Sequence, residues 1–172
     1  MQEINVGTAF TYGGDESSRV IHLMYSEIFE KEAFVVIMPT ATFANRSKLA
    51  GISQSYGAIF CHQDAHIVNF MFGASEFYTT GALLVVVPRA HFQVGRETLL
   101  GDLGPDRGGD LHDLKASALS LTQVTDGWTV YILRELAKLS RITRNTGLKV
   151  YMDAPQIANT MAYLGCSASG MT

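Results

Sequence analysis

The feature that most constrains this chain is an alternation along it: short apolar runs rich in β-branched residues recur between longer segments whose apolar residues fall at helical spacing. Five runs, at 34–38, 57–61, 83–87, 118–122 and 148–152, predict buried strands, because a continuous apolar run of that length suits a strand covered on both faces. Residues 15–31 open with Asp15, Glu16, Ser17 and Ser18 and then place Val20, Ile21, Met24, Tyr25, Ile28 and Phe29 on one helical stripe. Further helices are predicted at 42–52, 67–72, 131–143 and 156–164, with Gly147 stopping the one at 131–143. The order predicts an α/β fold in three layers around a largely parallel sheet. The stretch from Gly101 to Asp110 is dense in turn formers and reads as a loop.

With 172 residues the chain can build one domain with a core, and no second complete domain is expected. A formal charge of −3, with neither sign gathered in a block, argues against nucleic acid as a partner. The apolar runs are far shorter than the roughly 20 residues of a bilayer span, so no membrane partner is expected. Residues 1–5 carry no export or organelle signal, which makes a cytoplasmic location the expectation. Cys61 and Cys166, 105 positions apart, read as free thiols.

Three strand–helix junctions carry candidate chemistry. At Pro39-Thr40-Ala41-Thr42-Phe43-Ala44-Asn45 a helix start follows a strand, where free N–H groups and the helix dipole can hold a phosphate and Thr42 can add a hydroxyl; a plain N-cap at Thr42 is the other reading. At Cys61-His62-Gln63-Asp64-Ala65-His66 two histidines stand four apart after a strand, a spacing compatible with zinc but without a third ligand, so no metal is expected and an imidazole packed on a ring or hydrogen-bonded in the structure is preferred. At Val150-Tyr151-Met152-Asp153-Ala154-Pro155 an acid closes a strand, where it can hold a protonated ring nitrogen or cap the next helix.

Together with Tyr12 to Glu16, Gly73 to Phe77, Ser120 to Gln123, Thr129-Val130-Tyr131, Ala158-Asn159 and Leu164 to Ser167, these segments resemble the threonine aldolases in order and spacing over nearly the whole chain. The resemblance implies a mostly parallel, mixed sheet of the aspartate-aminotransferase-like large domain, incomplete at both ends. Residues 1–172 would then be part of a pyridoxal-phosphate-binding domain whose small C-terminal companion is absent. It also implies pyridoxal 5'-phosphate as cofactor, a small amino acid as substrate and a homo-oligomer. The implied reaction is cleavage of β-hydroxy-α-amino acids, threonine to glycine and acetaldehyde. Residue by residue, it puts Ala41 and Thr42 at the phosphate, His66 as the catalytic ring stacked on the pyridine, Asp153 on its nitrogen and Gln156 at the substrate.

The chain also departs from that family at working positions. Ala41 replaces a glycine, Gln156 an arginine whose charge an amide cannot supply, Met71 a carboxylate and Trp128 a glycine. None of Lys31, Lys48, Lys115, Lys138 or Lys149 stands in the context of the lysine that forms the Schiff base. The expectation is therefore a lyase by ancestry that is inactive as this chain, the alternative being a catalytically silent binding or assembly module that keeps the fold. A nucleotide-binding domain is disfavoured because no G-x-G-x-x-G or Walker pattern follows a strand.

Overall fold

A computed structural model describes residues 7–71, 73–104 and 115–171. The chain divides into two compact units, one of residues 1–37 with 166–172 and one of residues 38–165.

The first unit is built on α1 (Glu16–Phe29), which starts where the sequence signals it. Asp15 is its N-cap, accepting hydrogen bonds from Ser18 N at 2.9 Å and Ser18 Oγ at 2.7 Å, and these bonds hold its carboxyl below the usual range. The strand expected at 34–38 does not form. Phe34 and Ile37 are exposed, and the Val35 N–H donates to His22 Nδ1 at 3.1 Å rather than to a sheet. The reason is physical: an apolar β-branched run shows that a segment favours burial, but a strand exists only where an edge offers a hydrogen-bond partner.

The second unit holds α2 (Ala41–Ile52), β1 (Gly57–His62), α3 (His66–Asn69), α4 (Ala74–Tyr78), β2 (Leu83–Val87), α5 (Arg96–Leu103), β3 (Lys115–Thr122), α6 (Leu133–Thr146), β4 (Lys149–Asp153) and α7 (Ile157–Leu164). The four strands form one sheet in the order β2-β1-β3-β4, every neighbouring pair parallel. No antiparallel pair, such as a mixed sheet requires, occurs among the described residues.

Two cores flank the sheet, as the alternation of side chains along a strand requires. Ala58 and Phe60 of β1 and Leu119 and Leu121 of β3 pack with Leu99 of α5 and Leu139 and Ile142 of α6. On the other face Ile59, Cys61 and Ala118 pack with Leu49 of α2, Ile67 of α3 and Ala74 of α4. The fold is thus a three-layer α/β arrangement. Burial and the charge of Glu76 push the Cys61 thiol up to about 12, so it behaves as a small apolar side chain. Cys61 and Cys166 are both free.

Two boundaries differ from the sequence reading. Gly101 and Asp102, expected in a loop, continue α5, which the burial of Leu99 anchors and Gly104 ends at φ 52°. The loop residues 105–110 lie outside the described residues, as does Phe72 at the end of the predicted short helix. Gly147 stops α6 in the left-handed conformation at φ 73°, as expected.

Because Leu119 is fully buried in a strand paired on both sides, Leu119→Ala should cost about 2–5 kcal/mol of unfolding free energy, the range for such core truncations. Urea unfolding followed by circular dichroism measures it, and a loss under about 1 kcal/mol would contradict the packing described.

Candidate active site

In an open parallel sheet ligands collect at the carboxyl ends of the strands, where successive connections leave to opposite faces. Here that switch lies between β1 and β3. The chain leaves β1 through α3 and α4 on one face, and leaves β3 through α6 on the other. A cleft of about 320 Å³ lies at this end, lined among others by Ala41, His66, Thr125, Asp126, Asp153 and Gln156. The volume falls within the range of roughly 300–1,000 Å³ usual for small-ligand sites.

Asp153 ends β4 opposite Thr122 of β3. Its Oδ2 accepts a hydrogen bond from Asn45 Nδ2 at 3.1 Å, and the Tyr151 hydroxyl donates to Asn45 Oδ1. Asn45 is buried on α2, so a helix and a strand fix the carboxylate between them. Burial raises the Asp153 carboxyl above its ordinary value; the Asn45 hydrogen bond and the charge of His66 pull it back, and Asp126 pushes it further up. Burial, with Asp153 adding to it, also raises the Tyr151 phenol well above its usual range.

His66 is the first residue of α3, and its ring stacks on Phe70 with centroids 5.1 Å apart. Its Nδ1 lies 3.5 Å from Asp126 Oδ1. His62 is differently placed: it is buried, its Nε2 meets Arg89 O at 2.7 Å and its Nδ1 accepts from Asp64 N at 3.1 Å. Both ring nitrogens of His62 are therefore engaged, and the two histidines do not form a zinc pair. Among the described residues no group of three His, Cys, Asp or Glu side chains is placed to hold a metal ion.

At the helix start the N-cap is Thr40, whose side chain accepts from Phe43 N at 3.1 Å, so Thr42 is the second helical residue and not the cap. Ala41 lines the cleft and Thr42 is not among its lining residues. Trp128, which stands where the sequence comparison led to a glycine, adopts the left-handed conformation itself at φ 59°. Its indole is 76% exposed and lines the cleft with Val124 and Pro155. The structure thus brings Ala41, His66, Asp153 and Gln156 to one cleft and adds Asn45 and Asp126 to its lining, with Tyr151 bonded to Asn45; the sequence reading gave none of these three a role. Asn45 and Tyr151 had a signal, their places in the segments around Ala41 and Asp153; Asp126 had none.

This is a parallel α/β sheet with a cleft at the carboxyl ends of its strands, lined by polar side chains from both its helices and its loops. The chain belongs to the beta-eliminating lyase family, whose model matches residues 1–172. The low-specificity L-threonine aldolase of Pseudomonas aeruginosa is 32% identical, the match covering 100% of this chain and 49% of that protein. The low-specificity L-threonine aldolase of Candida albicans is 26% identical over 91% of this chain and 41% of its own length. Among solved structures, threonine aldolase of Leishmania major superposes with a TM-score of 0.89 at 20% identity, covering 99% of this chain and 50% of that one. YbdL of Escherichia coli, for which a methionine aminotransferase function was identified, superposes at 0.61 with 11% identity, over 89% and 39% of the two chains. The chain spans about half the length of the curated relatives it matches. No described helix is long and apolar enough to cross a membrane.

The raised Asp153 carboxyl has a stability consequence. Since its folded value lies above the ordinary 3.8, the contribution it makes is fully present below that value and is lost as pH rises through the folded one. Asp153→Asn keeps an acceptor for Asn45 without the charge, so the variant should be more stable than the parent at pH 7. The gain should shrink on acidification and vanish below about pH 3.8. Urea midpoints across this range test it, and a variant less stable at pH 7 would show that the Asn45 bond outweighs burial.

Proposed function

We propose that this chain is the cofactor-binding part of a pyridoxal-phosphate-dependent lyase that cleaves β-hydroxy-α-amino acids, threonine to glycine and acetaldehyde. The observation that carries the reading is the Asp153–Asn45 pair at the carboxyl end of the sheet, facing a cleft that His66 also lines. The residues fit the ring end of the cofactor. A half-buried carboxylate whose ionised form is disfavoured gains most from a cationic partner, and Asp153 Oδ1 has no hydrogen bond within the described residues. A protonated pyridine nitrogen is such a partner.

When bound, pyridoxal phosphate supplies an electron sink for the pair released when the bond between Cα and Cβ breaks. Asp153 would keep the ring nitrogen protonated and Asn45 would hold the carboxylate in place. His66 would cover the ring. The N–H groups of Ala41 and Thr42, which precede the first in-helix hydrogen bond of α2, would receive the phosphate. Gln156 would meet the substrate with a neutral amide, a weaker hold on a carboxylate than a guanidinium gives. Val124, Trp128 and Pro155 would exclude water from the mouth.

A cytoplasmic homo-oligomer acting on small amino acids is part of the same reading, and its support is the family. No lysine is among the residues lining the cleft, so the reading assigns no covalent anchor to this stretch of sequence. The 172-residue chain should therefore bind pyridoxal phosphate reversibly, Asp153→Ala should weaken that binding at least about tenfold, the order expected when a charge-assisted hydrogen bond is lost, and threonine should yield no glycine or acetaldehyde. Absorbance titration and product assay check these outcomes. Binding indifferent to Asp153 would refute the site, and turnover abolished by replacing one of the chain's own lysines would refute the missing anchor.

A further inference from the structure

Asp126 is a cleft carboxylate for which the family resemblance supplies no role. It sits in a segment pinned at both ends. Gln123 Nε2 donates to Tyr131 O at 3.0 Å while Tyr131 N donates to Gln123 Oε1 at 2.9 Å. Within that frame Thr125 N donates to Thr129 O at 3.0 Å, Thr129 N to Thr125 Oγ1 at 3.1 Å and Trp128 N to Thr125 O at 2.9 Å. His66 is held independently, on α3 and against Phe70. Two short side chains on separately fixed supports meet with Nδ1 and Oδ1 3.5 Å apart, 41% and 29% exposed. Unlike a surface pair of long side chains, they lose little rotamer freedom in meeting.

A neutral imidazole carries one N–H and one acceptor nitrogen, and the partner of one nitrogen decides the state of the other. The two histidines of this region have opposite partners. His62 Nε2 faces a carbonyl and its Nδ1 receives an N–H, which requires the Nε2–H tautomer. His66 presents Nδ1 to a carboxylate, which favours the Nδ1–H tautomer.

We propose that Asp126 is the positioning residue of His66: it keeps the ring proton on Nδ1, so that Nε2 is the atom that takes up a proton and gives it back at this site. A hydroxyl proton transferred to Nε2 leaves an alkoxide on the ligand and an imidazolium whose charge the Asp126 carboxylate balances; return of that proton restores the neutral ring. The opposing effects of Asp126 and His66 on Asp153 show that all three groups share one electrostatic field. Use of that proton in cleavage rests on the lyase reading, whereas the tautomer does not.

The test is long-range proton–nitrogen NMR of the imidazoles in the 172-residue chain without cofactor, at a pH where the rings are neutral, with His66 assigned by its loss in His66→Gln. The expected result is an Nδ1–H pattern for His66 beside an Nε2–H pattern for His62. Asp126→Ala should convert His66 to Nε2–H and leave His62 unchanged, and Asp126→Glu should restore Nδ1–H. An Nε2–H pattern for His66 in the parent chain would overturn the proposal whether or not the variants fold, as would an Nδ1–H pattern that survives Asp126→Ala in a folded chain. Absence of pyridoxal phosphate binding, measured separately, would overturn the lyase reading and leave this result standing.

Discussion

Strand β1 is buried along its whole length and hydrogen-bonded on both edges, to β2 and to β3, so its backbone polar groups must be met by neighbours and cannot turn to water. The demand orders what surrounds it. A side chain at Gly57 would run into Ser117, so the close approach of β1 and β3 depends on that residue having none. Because both neighbours run parallel to β1, the chain must return to the start of the sheet after each strand, and the helices that do so cover both faces. The carboxyl ends of all four strands then stand at one edge of the sheet. Residues far apart in sequence become neighbours for that reason.

Asp153 and Asn45, 108 positions apart, illustrate the outcome. Neither is informative alone, since an acid after a strand and an amide in a helix are both common surface features. Packed together, the amide fixes an orientation and the burial raises the carboxyl, which disfavours its ionised form. Asp126 and His66 repeat the pattern with a different result, a carboxylate fixed against one nitrogen of an imidazole.

The elements that were legible in the sequence are those whose signal is local. The helix at 15–31, the strands at 57–61, 83–87, 118–122 and 148–152, and the stop at Gly147 each follow from spacing, β-branching or a left-handed glycine. The run at 34–38 resembles the true strands in composition, yet among the described residues it pairs with no strand. In the same way the sequence reading offered Thr42 as the cap, and the backbone turn places the cap at Thr40.

What the sequence determined by itself is the α/β class, the family and the candidate positions Ala41, His66 and Asp153, because these are carried by residue type, order and spacing. What only the tertiary structure decided is which side chains meet. Asn45 and Tyr151 behind Asp153, Asp126 against His66, and the engagement of both nitrogens of His62 depend on strand order and on the separation of atoms across the fold. A distance of a few ångströms between residues as many as 108 positions apart is set by the packing of the sheet and its helices. No local pattern in a sequence encodes such a distance.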